Sequence, residues 1–118
     1  MKHITISVLY LFILFCLSVF VFEPAHLYYE IWWLDIPMHV MGGFGVASLV
    51  GAILSYRGKK VSYKRLFLGY LAVALAWEIY EYVNALPSLL MWGGWFDTGK
   101  DLIDGAIGMS IAYLFVRK

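Results

Sequence analysis

Charged residues are scarce in this chain: 14% of its 118 residues are Asp, Glu, Lys or Arg, whereas 63% are apolar. A soluble domain carries about a quarter charged residues and is nearer half apolar. The mean hydropathy of +0.78 agrees with this contrast. The shortage of charge disfavours a soluble domain and predicts an integral membrane protein with a single compact domain over residues 1–118.

Cysteine is almost absent, and charge of one sign does not dominate. The single Cys16 excludes an internal disulfide and any cysteine-rich metal site. The formal net charge of +1 says little by itself.

A basic loop at residues 57–65 is expected to contact the anionic inner leaflet of a membrane. Because nothing else in the chain favours nucleic acid, we expect the lipid bilayer and no nucleic acid as partner.

Four apolar stretches are each long enough to cross a membrane, which takes roughly 20 residues for about 30 Å of hydrocarbon. They cover residues 4–22, 36–56, 66–86 and 98–116. The sequence therefore predicts an all-α, polytopic membrane protein with a four-transmembrane-helix bundle. No small-x-small cleavage site follows the first stretch, so we expect a retained span. A short interfacial segment, HLYYEIWWL, is expected after it.

Basic and acidic residues are separated along this predicted topology. Eight of the nine basic residues lie before the first span, between the second and third, or after the fourth. By the positive-inside rule these ends are cytoplasmic. All eight acidic residues lie toward the opposite ends. We therefore expect a multi-pass protein of the cell (inner) membrane with both termini cytoplasmic, N-in and C-in.

Small residues recur one helical turn apart within the predicted spans. Such rows let helix backbones approach closely in lipid. The rows are Gly43, Ala47 and Gly51; Ala72 and Ala76; and Gly108 and Ala112. They predict close packing between the spans.

Acidic residues and one histidine fall on shared faces of three predicted helices. At 3.6 residues per turn, residues three or four apart share a face. The set consists of Asp35 and His39 in the second span, Glu78 and Glu81 in the third, and Asp97, Asp101 and Asp104 in the fourth. With a rise of 1.5 Å per residue, all lie within roughly 12 Å of the outer interface. We expect them to converge on one pocket in the outer leaflet.

Acids below the membrane interface need compensation, because one at mid-helix costs roughly 2.5–3.5 kcal/mol. Lys100 and His39 are the nearby protein cations, and two positive groups cannot neutralise the carboxylates of the set. The rest must be protonated, hydrated in a cavity or bound to a metal. Carboxylates with an imidazole suit Mg²⁺, Mn²⁺, Ca²⁺ or Fe²⁺, and Zn²⁺ is also compatible. The sequence predicts a divalent metal cation held by this set.

Simpler roles remain open for some of these residues. Asp35, Asp97 or Thr98 would suit the N-cap of a helix. His39 taken alone would more often be a hydrogen-bonded core histidine. Glu81 could face the membrane interface instead of the pocket.

Three blocks of the sequence resemble small bacterial and archaeal membrane proteins of the YjdF-type family and the more distant VanZ-like family. The blocks are DIPMHVMGGF, WEIYEY and FDTGKDLIDGAIG, and the match covers about Trp33 to Ala112. The resemblance implies that the acids and histidine named above are the family's polar set. VanZ-like proteins are linked with reduced susceptibility to glycopeptide antibiotics. Their pattern usually has a lysine where this chain has Ile36.

Three functions remain open from the sequence. The first is an enzyme, a metal-dependent hydrolase or transferase acting on a lipid or lipid-linked phosphate, with Glu78 or Asp101 as the base. The second is a cation transporter or channel, which would need a homo-oligomer because four helices in one protomer make a poor pore. The third is a structural or binding module without catalysis.

Overall fold

A computed structural model of the chain describes residues 1–22, 25, 30–31, 33–84 and 94–117. For residues 81, 82, 84 and 94–97 it describes the backbone alone. Within these ranges all regular secondary structure is helical, which confirms the predicted all-α class. The helices are α1, Lys2–Cys16, continued by π-helical turns over Leu17–Phe22; α2, Asp35–Tyr56; α3, Tyr63–Asn84; and α4, Gly94–Val116.

Two of these helices are long and apolar enough to cross a membrane. They are Lys2–Phe22, with 21 residues and a mean hydropathy of 2.7, and Asp35–Tyr56, with 22 residues and a mean hydropathy of 1.6. The first exposes a broad apolar surface that includes Leu9, Phe12 and Phe20. Apolar surface of this kind is unfavourable in water, whereas lipid tails solvate it without cost.

α2 is the central helix of the bundle and packs against α1, α3 and, most extensively, α4. Glycines allow the close crossing of α2 and α4. A Cβ atom at Gly43 would collide with the backbone carbonyl of Gly105, and one at Gly108 would collide with the backbone carbonyl of Val40. The two backbones therefore touch directly at this crossing.

The predicted small-residue rows on α2 and α4 are buried in this contact, as expected. The row on α3 is not, because Ala72 and Ala76 are exposed. α3 meets its neighbours through another face, on which Gly69 lies against Val50 and Tyr70 lies against Gly105. The prediction that Ala72 and Ala76 pack between helices is therefore wrong.

The connection between α2 and α3 is short and hydrogen-bonded. Gly58 has a φ of +67°, a left-handed conformation that favours glycine. The backbone N–H of Lys59 donates to the carbonyl of Leu54 at 2.8 Å, and the Arg65 guanidinium donates to the carbonyl of Lys60 at 2.6 Å. α3 begins at Tyr63, three residues before the predicted start of the third span.

Candidate metal centre

The first turn of α2 supplies a carboxylate and an imidazole. Asp35 is the first residue of α2, and His39 lies four residues later on the same face. The Nε2 atom of His39 lies 3.2 Å from Oδ1 of Asp35. The N-cap position belongs to Leu34 rather than Asp35. An N-cap role for Asp35 is therefore wrong, and its carboxylate faces His39 instead.

α4 brings a second carboxylate to the same imidazole nitrogen. Oδ2 of Asp101 lies 3.3 Å from Nε2 of His39. Asp101 is 3% exposed, and His39 has 17% of its side chain exposed. The imidazole therefore joins two carboxylates that come from different helices.

The ammonium group of Lys100 joins the same two carboxylates through their other oxygens. Its Nζ atom lies 3.3 Å from Oδ2 of Asp35 and 3.5 Å from Oδ1 of Asp101. It also lies 3.2 Å from Oδ2 of Asp104, a buried oxygen for which the described residues offer no other hydrogen-bond partner. Asp35 and Asp101 are thus bridged by an imidazole at one edge and by an ammonium group at the other.

Asp35, His39 and Asp101 have the spacing of metal ligands. One ligand atom from each residue lies within 4.8 Å of the others. Ligand atoms that bind one ion at about 2.0–2.2 Å lie roughly 3–4 Å apart. The distances of 3.2 Å and 3.3 Å from the imidazole nitrogen to the two carboxylates fall in that range. A cation could bind here with little movement of the side chains.

α3 contributes Glu78, which is 9% exposed. The hydroxyl of Thr98 on α4 donates to Oε2 of Glu78 at 3.2 Å. Since α4 begins at Gly94, Thr98 lies inside the helix, and the predicted N-cap role for Thr98 is wrong. The hydroxyl instead ties α4 to the acid on α3.

Tyr70 links α3 to α4 near the centre. Its hydroxyl donates to the carbonyl of Leu102 at 2.6 Å. It also lies close enough to Glu78, Asp101 and Asp104 to interact with their charges. Tyr70 therefore lies within electrostatic range of acids from both α3 and α4.

The structure thus brings Asp35, His39, Asp101 and Asp104 together around Lys100, with Glu78 beside them through Thr98 and Tyr70. The side chains of Glu81 and Asp97 lie outside the described residues, and their roles in the pocket stay predictions. The N-cap role predicted for Asp97 is wrong, because α4 begins at Gly94.

Sequence reasoning missed the part played by Tyr70 and the contact of Thr98 with Glu78. One signal was available for Tyr70. It lies eight residues before Glu78, a spacing that places two residues near the same helical face.

The fold and this cluster define a class: a helical membrane protein that encloses an ion-paired Asp–His–Lys centre. The chain belongs to the family described as predicted membrane protein (DUF2238), whose sequence profile matches residues 2–118. The family and the two apolar helices confirm the predicted membrane location. No curated protein and no solved structure matches the chain.

Proposed function

We propose that this protein binds a divalent cation at Asp35, His39 and Asp101 and uses it to hydrolyse or transfer a phosphate group of a lipid or lipid-linked substrate. The observation that carries the proposal is the meeting of one imidazole and two carboxylates from α2 and α4 within 4.8 Å. Three protein ligands leave coordination positions for a substrate, as catalytic metal sites require.

The charges of the cluster support a cation. Asp35, Asp101 and Asp104 carry three negative charges when ionised, and Lys100 supplies one positive charge among them. A divalent cation together with Lys100 would balance the three carboxylates. Burying a charge is costly unless opposite charge lies beside it, so this balance matters most for Asp101, the most buried of the three.

The residues around the cation site have distinct proposed roles. A bound divalent cation would act as a Lewis acid on a phosphoryl group. Glu78, which accepts a hydrogen bond from Thr98, is the candidate base for a water molecule. Asp101 suits a ligand role better than a base, because His39 and Lys100 engage its two oxygens.

We further propose that the four helices all span the membrane, with both termini in the cytoplasm. The basic connection after α2 exposes Arg57, Lys59 and Lys60, whereas Asp35 begins the opposite end of the same helix. By the positive-inside rule the basic end is cytoplasmic. The metal centre would then lie near the extracytoplasmic face.

Cysteine labelling in intact cells tests this topology. In a Cys16→Ser background, Glu30→Cys should react with a membrane-impermeant maleimide, and Lys59→Cys should react only after the membrane is opened. Both positions are exposed. Whether the reagent reaches each cysteine therefore depends only on the side of the membrane on which that cysteine lies. The reverse pattern would contradict the proposed orientation.

A relationship of this family to the YjdF-type and VanZ-like families is also part of the proposal. It is supported by three sequence blocks that contain Asp35, His39, Glu78 and Asp101. Each of these side chains lies in or beside the centre described above. A shared polar set would then reflect a shared cation site.

Manganese binding tests the proposed function. Metal-free protein is titrated with Mn²⁺, and free Mn²⁺ is followed by electron paramagnetic resonance. We expect one Mn²⁺ per chain in the wild type and none in His39→Ala. Mn²⁺-dependent phosphate release from a lipid phosphate should be lost in the same variant. If neither Mn²⁺ nor Zn²⁺ binds saturably, the proposal is wrong.

One observation favours a second function, that of a structural module without metal. Lys100 contacts three carboxylates and could hold α2 and α4 together by itself. In that case the protein would be stable and would bind no divalent cation.

Ion transport by a single chain is less well supported. Below the centre, Ala47 and Met109 fill the α2–α4 contact and are fully buried. This contact therefore offers no continuous polar path in the part of the chain that the structure describes. A transport role would need a path between the chains of a homo-oligomer, and ion flux into liposomes would detect it.

A further inference from the structure

An apolar groove of about 300 Å³ lies between α1 and α2. Among the described residues, α1 lines it with Ile13, Leu17 and Phe22, and α2 lines it with Leu34, Met38 and Met41. Leu17 and Met41 are partly exposed toward the surroundings of the bundle. In a membrane this groove faces lipid tails.

The groove and the metal centre occupy neighbouring faces of the same turns of α2. Leu34 and Met38, which line the groove, directly precede Asp35 and His39, which belong to the centre. Consecutive residues of a helix point about 100° apart. A molecule in the groove would therefore have one end beside the centre.

Tyr10 lies at the inner end of the groove. The hydroxyl of Tyr10 donates to the carbonyl of Met41 at 3.0 Å, and its ring packs edge-on against Phe44 with centroids 6.3 Å apart. The polar atom of Tyr10 is thus satisfied, and the walls above it are apolar. The walls of the groove extend roughly 18 Å along α1, from Tyr10 to Phe22, and roughly 10 Å along α2, from Leu34 to Met41. One leaflet of the hydrocarbon core is about 15 Å thick.

We infer that this groove holds one acyl chain of an outer-leaflet phospholipid whose phosphate lies at the metal centre. The inference rests on the proposed function and names its substrate class as a glycerophospholipid. Three protein ligands would leave a bound divalent cation with open coordination positions, and oxygen atoms of a phosphate can fill them. An apolar groove of about 300 Å³ that runs from the start of α2 to Tyr10 fits an acyl chain.

Binding of 1-acyl-glycerol 3-phosphates with 8, 12 or 16 carbons tests the inference. The full chain is held in octyl glucoside with Mn²⁺, and bound lipid is measured by native mass spectrometry. Wild-type affinity should rise with chain length and level off once the acyl chain reaches Tyr10. Leu17→Trp and Met41→Trp fill the groove and should each lower affinity for the 12-carbon lipid at least tenfold.

Ile107→Trp is the matched control, because Ile107 is exposed on α4 in the separate surface groove beside α3. This variant should keep the wild-type dependence on chain length. Because the lipids partition into detergent in the same way in every sample, comparison with this variant also corrects for that partition. Equal losses in Ile107→Trp and Leu17→Trp, or no chain-length dependence in the wild type, would overturn the inference.

Mn²⁺ binding measured on the same samples separates two kinds of failure. Mn²⁺ binding without chain-length dependence contradicts the groove and leaves the proposed function standing. Chain-length dependence without Mn²⁺ binding contradicts the proposed function, and with it the location of the phosphate at the centre. His39→Ala should weaken binding by the same factor at every chain length, because it removes only the contact with the phosphate.

Discussion

Replacing Asp101 with asparagine should lower the affinity for Mn²⁺ at least 100-fold. Asp101 is the most buried of the proposed ligands and is the one that joins α4 to the imidazole on α2. Asparagine keeps the shape of the side chain but removes the negative charge that attracts the cation. Loss of a ligand should exceed the 10–100-fold effect typical of residues that only support a ligand.

Thermal stability gives an independent measure of the same effect. A cation at 100 times its Kd stabilises the folded state by about 2.7 kcal/mol. The wild type should gain this stability when Mn²⁺ is added, whereas Asp101→Asn, with a Kd at least 100-fold higher, should gain at most about 0.4 kcal/mol. Glu30→Gln is the charge-matched control, because Glu30 is exposed and lies outside the cluster. If Asp101→Asn keeps the full gain, Asp101 is not a ligand.

Lys100→Gln should change Mn²⁺ affinity in the opposite direction. This substitution removes the positive charge that lies between three carboxylates. The affinity for Mn²⁺ should rise, and the stability of the metal-free protein should fall. A purely structural role for the cluster predicts the loss of stability without any response to Mn²⁺. Lys100→Gln therefore separates the two proposed functions.

Gly43→Ala should destabilise the protein by about 3 kcal/mol, at the upper end of overpacking effects. The added Cβ would collide with the backbone carbonyl of Gly105, which cannot rotate away as a side chain could. Gly43 lies one turn after His39, and Gly105 lies one turn after Asp101. Parting the helices here should also draw Asp101 away from His39, and Mn²⁺ affinity should fall together with stability.

Gly42→Ala is the natural control, because it makes the same change one residue earlier. The nearest atom to a Cβ at Gly42 is a side-chain carbon of Leu14 at 4.0 Å, an ordinary contact. Alanine is also favoured over glycine within a helix by about 0.5–1 kcal/mol. Unfolding in denaturant should show Gly42→Ala as neutral or slightly stabilised. Equal losses of stability in both variants would refute the direct backbone contact.

The helices could be predicted from sequence because an apolar environment restricts the backbone to conformations that form their hydrogen bonds internally. A chain in hydrocarbon must satisfy its peptide groups internally, so a long apolar run becomes a helix. The helix ends were less predictable. α4 begins at Gly94, whereas the apolar run begins at Thr98. Hydropathy marks only the apolar part of a helix, and a helix can extend beyond it.

The candidate site could be predicted in part. Spacings of three and four residues correctly place Asp35 with His39 and Asp101 with Asp104 on shared faces. They do not show which helices meet. Ala72 and Ala76 illustrate the difficulty, since small residues mark a face that can pack closely without showing that it does. The contacts across helices depend on the glycine crossing, which the sequence alone does not orient.

One imidazole nitrogen atom of the centre faces the carboxylates of two helices. Nε2 of His39 can carry one proton, yet Oδ1 of Asp35 and Oδ2 of Asp101 both lie within 3.3 Å of it. One hydrogen atom must then serve two acceptors, or the nitrogen lone pair must face two oxygen lone pairs. A positive ion at the same point would contact all three atoms without this competition for one proton.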